Sequence, residues 1–434
     1  MNQVFKRIYA SVGANMSGQA ITIFIQLASV PIFLSYWSLE TYGQWLMLTA
    51  LPTYFALSDF GFLTVIVNRM TIFSGEKNTA KVKSLFHSAI FLCLVINTFA
   101  LLAVIATVFV VDVGVLSNLD NKLALILLVN TAVLSLSSRL IDAVFRSQEE
   151  YALGVHILNA IRLFEWCLLI AGLITWGSFF AAAACLFLGR VIGLYFSIFF
   201  AQYRHRYLTW SIKKASKTEI EELIKPALAF MSFPVSNAML FQGMTLIIGT
   251  IFGPAYLVMF NTYRTVSRII VQGVNVIASS VGPELSRQFG EGNFSAVNII
   301  HNKGRKFTIA LATISCCFLM MFGQELLYFW LGDKLEYNHI IFLGFVLAAF
   351  LNAIWYMEMV YLTSLNRHGE IAKKYLLTSI FIVFVLFVVG ESVGGIAPVL
   401  LLSFFEIIIG YWCFKSVHKY KTKNISKGLS KNES

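Results

Sequence analysis

Charge is what this sequence has least of. Asp, Glu, Lys and Arg make up 13% of its 434 residues, against about 25% in an ordinary soluble domain. With 58% of the residues hydrophobic, that scarcity excludes a soluble globular fold. The short motifs that carry much enzyme chemistry are also missing: no Walker A sequence, HExxH, GxSxG or dinucleotide fingerprint occurs. Residues 74–82 contain Gly and Lys without the spacing of a phosphate loop. The polar/apolar alternation over about ten positions that a membrane barrel strand requires is absent as well. Cysteine is sparse, and Cys93, Cys167, Cys185, Cys316, Cys317 and Cys413 all fall in apolar segments without metal-ligand spacing. They read as small hydrophobes. Neither a metal, a cofactor nor an enzymatic activity is expected.

What is present is a succession of apolar runs of about 20 residues, the length at which a helix crosses a bilayer core. Twelve such spans are predicted, near 11–35, 43–67, 86–111, 123–145, 152–175, 179–201, 226–252, 255–280, 307–330, 340–363, 372–390 and 394–414. The chain is therefore an all-α polytopic membrane protein. The first run is too long for a signal-peptide core and lacks a small-residue cleavage site, so it is expected to stay as span one.

Basic residues set the predicted orientation. With the N-terminus placed in the cytoplasm, 26 of the 33 Lys and Arg residues fall in inside segments and only Lys122 and Lys334 in outside loops. This is the asymmetry of the positive-inside rule. Both termini are expected to be cytoplasmic, and the net charge of +11 needs no nucleic-acid partner. The longest outside loops, near 112–122 and 331–339, are too short to hold a folded extracytoplasmic site. An envelope polymerase or glycosyltransferase is disfavoured on that ground, and a transporter fits better.

The longest polar interruption, residues 202–225, divides the chain six spans from six. The predicted organisation is an N-terminal lobe (1–201), a cytoplasmic linker (202–225), a C-terminal lobe (226–415) and a basic tail (416–434). An even number of spans per half makes the two lobes a parallel repeat. A sequence echo supports this: "SGEKNTAKV" (74–82) and "FGEGNFSAV" (289–297) share G-E-x-N at an offset of 215. Pro31, Pro52, Pro226, Pro234 and Pro254 lie in or at the ends of spans one, two, seven and eight, where they loosen the helical ladder.

Inside the spans lie five arginines, Arg139, Arg162, Arg190, Arg264 and Arg268, and five acids, Asp59, Asp142, Glu165, Glu358 and Glu406. Arg139–Asp142 and Arg162–Glu165 are three residues apart and are expected to pair along one helix face. Arg190, Arg264 and Arg268 have no acid three or four positions away. In span eight, Asn261, Arg264, Arg268, Gln272, Asn275 and Ser279 fall within about 80° of one another on a helix. Span one repeats the pattern with Ser11, Asn15, Gln19, Thr22, Gln26 and Ser29. Continuous polar faces of this kind predict a water-filled cavity, although interhelical hydrogen bonding accounts for individual positions. Arginine's planar fork matches phosphate and cannot lose its charge, so an anionic ligand is expected, phosphate or diphosphate above all. Asp59, in "LSDFGF" (57–62), is the expected ion-coupling acid, with Glu165 and Asp142 as further candidates.

Several stretches together resemble the Wzx-type polysaccharide or O-antigen flippases of the multidrug/oligosaccharidyl-lipid/polysaccharide exporter superfamily. They are "VPIFLSYWSLETYGQW" (30–45), "LSDFGF" (57–62), "FRSQEEYALGVHILNAIRLFE" (145–165), "YRTVSR" in span eight and "SVGPELSRQFGEGN" (280–293). The resemblance covers nearly the whole chain. It implies transport of an undecaprenyl-diphosphate-linked oligosaccharide from the inner to the outer leaflet of a bacterial inner membrane, coupled to an H+ or Na+ gradient. Membrane lipids and the polymerase and chain-length proteins of the same pathway are the other partners it implies. On this reading Arg264 and Arg268 grip the diphosphate, and Arg162, Arg190 and Arg139 are further cavity candidates. A cation-coupled multidrug exporter of the same superfamily is the alternative. The matching numbers of buried acids and arginines make this chain's cavity less cationic than the family pattern implies.

Overall fold

The structure, a computed structural model, describes residues 2–57, 61–110, 114–206, 208–211, 215–216, 218–222, 231–291, 293–365, 367 and 369–429. Thirteen long helices account for nearly all of it. They are α1 (Asn2–Tyr36), α2 (Leu39–Ala56), α3 (Phe62–Gly75), α4 (Thr79–Val110), α5 (Leu119–Ser147), α6 (Tyr151–Trp176) and α7 (Phe179–Arg204). After these come α8 (Ser232–Ile251), α9 (Pro254–Gly290), α10 (Phe294–Leu331), α11 (His339–Ser364), α12 (Gly369–Val393) and α13 (Ala397–Leu429).

Among the described residues, ten helical stretches are long and apolar enough to cross a bilayer. Two predicted spans fall outside that set. Span two, expected as one helix over 43–67, is instead two, α2 and α3. Gly61 opens α3 with φ +75°, a left-handed conformation that costs a residue with a Cβ about 1 kcal/mol or more. Span eight is the continuous 37-residue helix α9, and its polar stripe is what lowers its hydropathy. The fold is thus all-helical and consistent with about twelve crossings.

The chain separates into two compact units, Met1–Pro234 and Val235–Ser434, built on one plan. In the first, α5 is the central helix, packed against α2, α3, α4 and α7, while α6 lies between α1 and α7. In the second, α11 is central against α9, α10 and α13, while α12 lies against α8 and α13. Counted as spans, the fourth of each half touches the second, third and sixth, and the fifth touches the first and sixth.

Local chemistry repeats with the topology. In the first G-E-x-N copy, Asn78 N–H donates to the Phe73 carbonyl at 2.9 Å, and Asn78 Oδ1 accepts from Lys81 N at 3.2 Å. In the second, Asn293 N–H donates to the Gln288 carbonyl at 2.9 Å, and Asn293 Oδ1 accepts from Ala296 N at 3.1 Å. Each asparagine closes one helix and N-caps the next, which is why this residue type stands there twice. Replacing Asn293 by Ala is expected to cost about 1 kcal/mol, measured as a lowered denaturation midpoint in detergent, with Asn293→Asp retaining the cap.

Other sequence motifs turn out to be architectural. "VPIFLSYWSLETYGQW" builds an aromatic cluster: Phe33 stacks on Tyr42 (5.1 Å between ring centres) and Trp37 packs edge-on against Phe179 (4.9 Å). Glu150, just before α6, takes a fork of hydrogen bonds from Arg204 at 2.7 Å and a contact from His205 at 3.1 Å. The bonds from Arg204, outweighing partial burial, hold its carboxyl below the ordinary value. Where it is described, the polar stretch after α7 is docked on α4. Glu219 accepts from Ser84 at 2.9 Å and Ser88 at 3.2 Å, and Trp210 packs on Phe86.

Candidate functional site

The second unit holds the arginine pair. In the middle of α9, Thr262, Tyr263, Val266, Ser267, Ile270 and Val274 are buried and form one face of the helix. Asn261, Arg264, Arg268, Gln272 and Asn275 are half-buried on another. This separation follows from the 100° step of the helix: the stripe drawn from sequence is a real face. The two guanidinium groups, one turn apart and about 6 Å along the axis, both turn toward α8.

Their partners are neither carboxylates nor each other. Arg264 Nη1 donates to the Phe241 carbonyl at 3.2 Å, and its Nη2 lies 3.4 Å from Thr245 Oγ1 and donates to Asn261 Oδ1. The Phe241 ring lies 5.4 Å from the Arg264 guanidinium and 4.6 Å from that of Arg268. Among the described residues no acid stands within ion-pair distance of either arginine. Tyr375 of α12 is within electrostatic reach of Arg268, and its hydroxyl donates to Asn237 Oδ1 at 3.2 Å. Farther along the same unit, Glu406 accepts from Trp355 Nε1 at 2.8 Å and Asn352 Nδ2 at 3.1 Å. It is an intramembrane acid whose donors among the described residues are neutral. Two cavities of about 490 and 570 Å3 lie elsewhere, around Glu336 and Tyr337 in the α10–α11 loop, and neither reaches the arginines.

The first unit corrects the pairings expected from sequence. Asp142 pairs with Arg146 at 3.1 Å, one turn on, while Arg139 acts on it at longer electrostatic range. Glu165 pairs across helices with Arg190 at 2.8 Å rather than along α6 with Arg162. Arg190, expected to be without an acid, is thus held by Glu165 and also donates to Ser138 at 3.2 Å. The reason is packing: Gly189 brings α7 so close that a Cβ there would sit 3.0 Å from the Glu165 Cα. A partner one helix away is then nearer than one a turn along. Arg162 instead donates to Thr22 at 2.8 Å, and Arg139 is exposed at the surface of the unit.

The polar stripe of span one is largely consumed by α6. Asn15 accepts from Tyr151 (3.1 Å), Thr22 from Arg162 (2.8 Å) and Ser29 from Trp166 Nε1 (2.9 Å). Interhelical bonding therefore explains half of that face, while Gln19 is exposed and Gln26 half-buried with a partner of its own. Asp59 and the side chain of Ser11 lie outside the described residues.

Phe241, Thr245, Tyr375 and Asn237 were missed by sequence reasoning, yet the repeat carried a signal for the last two. Tyr151 donates to Asn15 in the first unit just as Tyr375 donates to Asn237 in the second, each linking the fifth span of a half to its first.

No protein-family model and no curated protein matches this chain in sequence. Its fold, however, matches solved transporters over nearly their full length. One is described as the inward-facing conformation of a multidrug resistance MATE family transporter of the MOP superfamily. It is 13% identical with a TM-score of 0.72, covering 92% of this chain and 96% of that one. The outward-facing conformation described for such a transporter matches at 13% identity and a TM-score of 0.64, covering 96% of each chain. A third is a MOP superfamily transporter from Pyrococcus furiosus, described as having a binding pocket of reverse polarity that suggests a different function. It matches at 14% identity and a TM-score of 0.63, covering 96% of each chain. The chain has the two-unit fold seen in the MATE transporters of the MOP superfamily.

Proposed function

We propose that this protein is a transporter of an anionic lipid-linked substrate. In its specific form, it flips undecaprenyl-diphosphate-linked O-antigen or capsular oligosaccharide units from the cytoplasmic to the periplasmic leaflet by alternating access. The observation that supports this reading best is the Arg264–Arg268 pair, which shares one helix face with Asn261, Gln272 and Asn275 and has no neighbouring carboxylate among the described residues. Two forks of this kind offer a diphosphate several charge-assisted hydrogen bonds, and the amides beside them suit sugar hydroxyls. Arg162, Arg190 and Arg139 play a smaller part in this proposal, since Glu165 already takes the charge of Arg190. For ion coupling, Asp142 and Glu165 are engaged by arginines. Glu406, free of a basic partner among the described residues, becomes the stronger candidate beside Asp59.

A cation-coupled multidrug exporter is the second reading. The multidrug MATE transporters that share the fold favour it, and so does Glu406, an acid of the kind that binds a coupling ion or a cationic drug. Deleting the gene separates the two. The flippase reading expects loss of surface polysaccharide and accumulation of lipid-linked repeat units on the cytoplasmic leaflet, with drug sensitivity unchanged. Heightened sensitivity to cationic drugs with normal envelope sugars would establish the exporter instead.

A further inference from the structure

Helix α8 is interrupted. It is α-helical to Ala238, makes a π-turn over Met239–Gly243, and resumes as α-helix from Met244. Such turns insert one residue into the ladder and are frequent at functional sites. Here the turn presents Phe241 to the arginines twice over. Its carbonyl accepts from Thr245 Oγ1 at 2.7 Å and Arg264 Nη1 at 3.2 Å, and its ring faces both guanidinium groups.

A guanidinium spends N–H groups on each acceptor, and a bidentate phosphate contact needs two of them side by side. Arg264 already divides its Nη groups between Phe241, Thr245 and Asn261, so capturing a phosphate edge competes with the Phe241 carbonyl. In the π-turn that carbonyl also accepts the Met244 N–H and the Thr245 hydroxyl, so losing Arg264 leaves it bonded but removes the cross-helix contact that holds this register. Annealing the π-turn to α-helix exchanges that i+3 donor, Met244 N–H, for the regular i+4 donor, Thr245 N–H, on a carbonyl that Arg264 no longer occupies. Losing the inserted residue rotates the upstream part of α8 by about 100° and shifts it about 1.5 Å. Asn237 is on that upstream part, and the rotation takes it off the Tyr375 hydroxyl of α12.

We infer that Phe241 and its π-turn form the positioning element of the anion site, a catch that Arg264 holds in the π register and that a bound diphosphate releases. The inference rests on the anionic-substrate reading proposed above and adds a conformational consequence to it. Phe241 does not itself bind the phosphate; it acts through the two arginines.

The test uses the full-length protein in lipid nanodiscs, with farnesyl diphosphate as the probe and uncharged farnesol as the control. Amide hydrogen exchange over residues 239–246 is measured with and without each, alongside binding affinity. Farnesyl diphosphate, but not farnesol, is expected to change exchange in that segment. Phe241→Leu is expected to weaken diphosphate binding about tenfold through loss of the cation–π contacts, while Phe241→Tyr restores it. Arg264→Lys keeps the charge but loses the fork, and is expected to abolish the ligand-dependent change in exchange. If farnesyl diphosphate binds and exchange over 239–246 does not respond, the catch is wrong while the anion site stands. If Phe241→Leu folds and binds as wild type, the positioning role is wrong. If wild type binds farnesyl diphosphate no better than farnesol, the anion site fails and the catch with it. The wild-type comparison needs no variant to fold.

Discussion

Changing Arg264 and Arg268 together to Gln is expected to abolish export of surface polysaccharide while leaving the protein at its normal level in the membrane. The two halves of that expectation have separate physical causes. Each hydrogen bond to a charged group is worth about 1.5–3 kcal/mol. Losing even one such bond from each arginine therefore removes roughly 3–6 kcal/mol of grip on a diphosphate, a fall of about 10²–10⁴ in affinity. Stability moves the other way. A charged arginine inside a membrane protein costs about 3 kcal/mol on insertion scales, and here no carboxylate among the described residues offsets it. The other packing between α8 and α9 remains, so the helices stay joined. A structural role for the pair predicts the reverse, with reduced protein and residual transport in proportion to what remains. Full surface polysaccharide in the double variant would remove diphosphate binding from these residues altogether.

The second large effect is expected in the first unit. Glu165 is 4% exposed and Arg190 pairs with it at 2.8 Å. Arg190→Gln leaves a buried carboxylate without its ion partner, and losses of this kind run to about 3–5 kcal/mol. Glu165→Gln, which strands the arginine, belongs to the same class. The pair is imperfectly satisfied, however: Glu165 Oε1 and Arg190 Nε are buried without a hydrogen-bond partner. The double variant Glu165→Gln/Arg190→Gln is therefore expected to recover most or all of the wild-type midpoint, since buried pairs of modest geometry are often replaceable. Chemical denaturation of the four proteins in detergent measures this as a double-mutant cycle. Transport by the double variant adds a functional outcome. If it still exports, Glu165 is a packing residue and leaves the list of coupling acids.

The same pair shows where reading along the chain stops. Helical periodicity assigned Arg162 and Glu165 to one face, and they are on one face. It could not register that Gly189 lets α7 approach closely enough for Arg190 to take the carboxylate instead. For span eight, the stripe from Asn261 to Asn275 was legible because every member belongs to one helix, whose geometry sets their angles. For span one, an equally regular stripe proved to be half interhelical bonding to Tyr151, Arg162 and Trp166, whose positions no pattern within span one contains. The break in span two at Gly61 and the π-turn around Phe241 were invisible for a further reason. The π-turn interrupts a segment whose apolarity largely continues across it, the Ser58, Asp59 and Gly61 turn signal is averaged away over a span-length window, and hydropathy does not record hydrogen-bond register.

By itself, then, the sequence determined that this is a helical membrane protein of about twelve spans with a repeated design. Segment length, the cost of an unpaired backbone in lipid and the recurrent Gly-Glu-x-Asn turn are properties of consecutive residues. It also determined which residues share the polar face of span eight. Only the tertiary structure decided which charges are paired, because in a low-dielectric interior a charge goes to the nearest opposite group, and the close approach of neighbouring helices sets which group that is. Arg190 was claimed in this way by Glu165. Arg264 and Arg268 were not claimed by any described acid, and it is that difference, arising from packing, on which the proposed site rests.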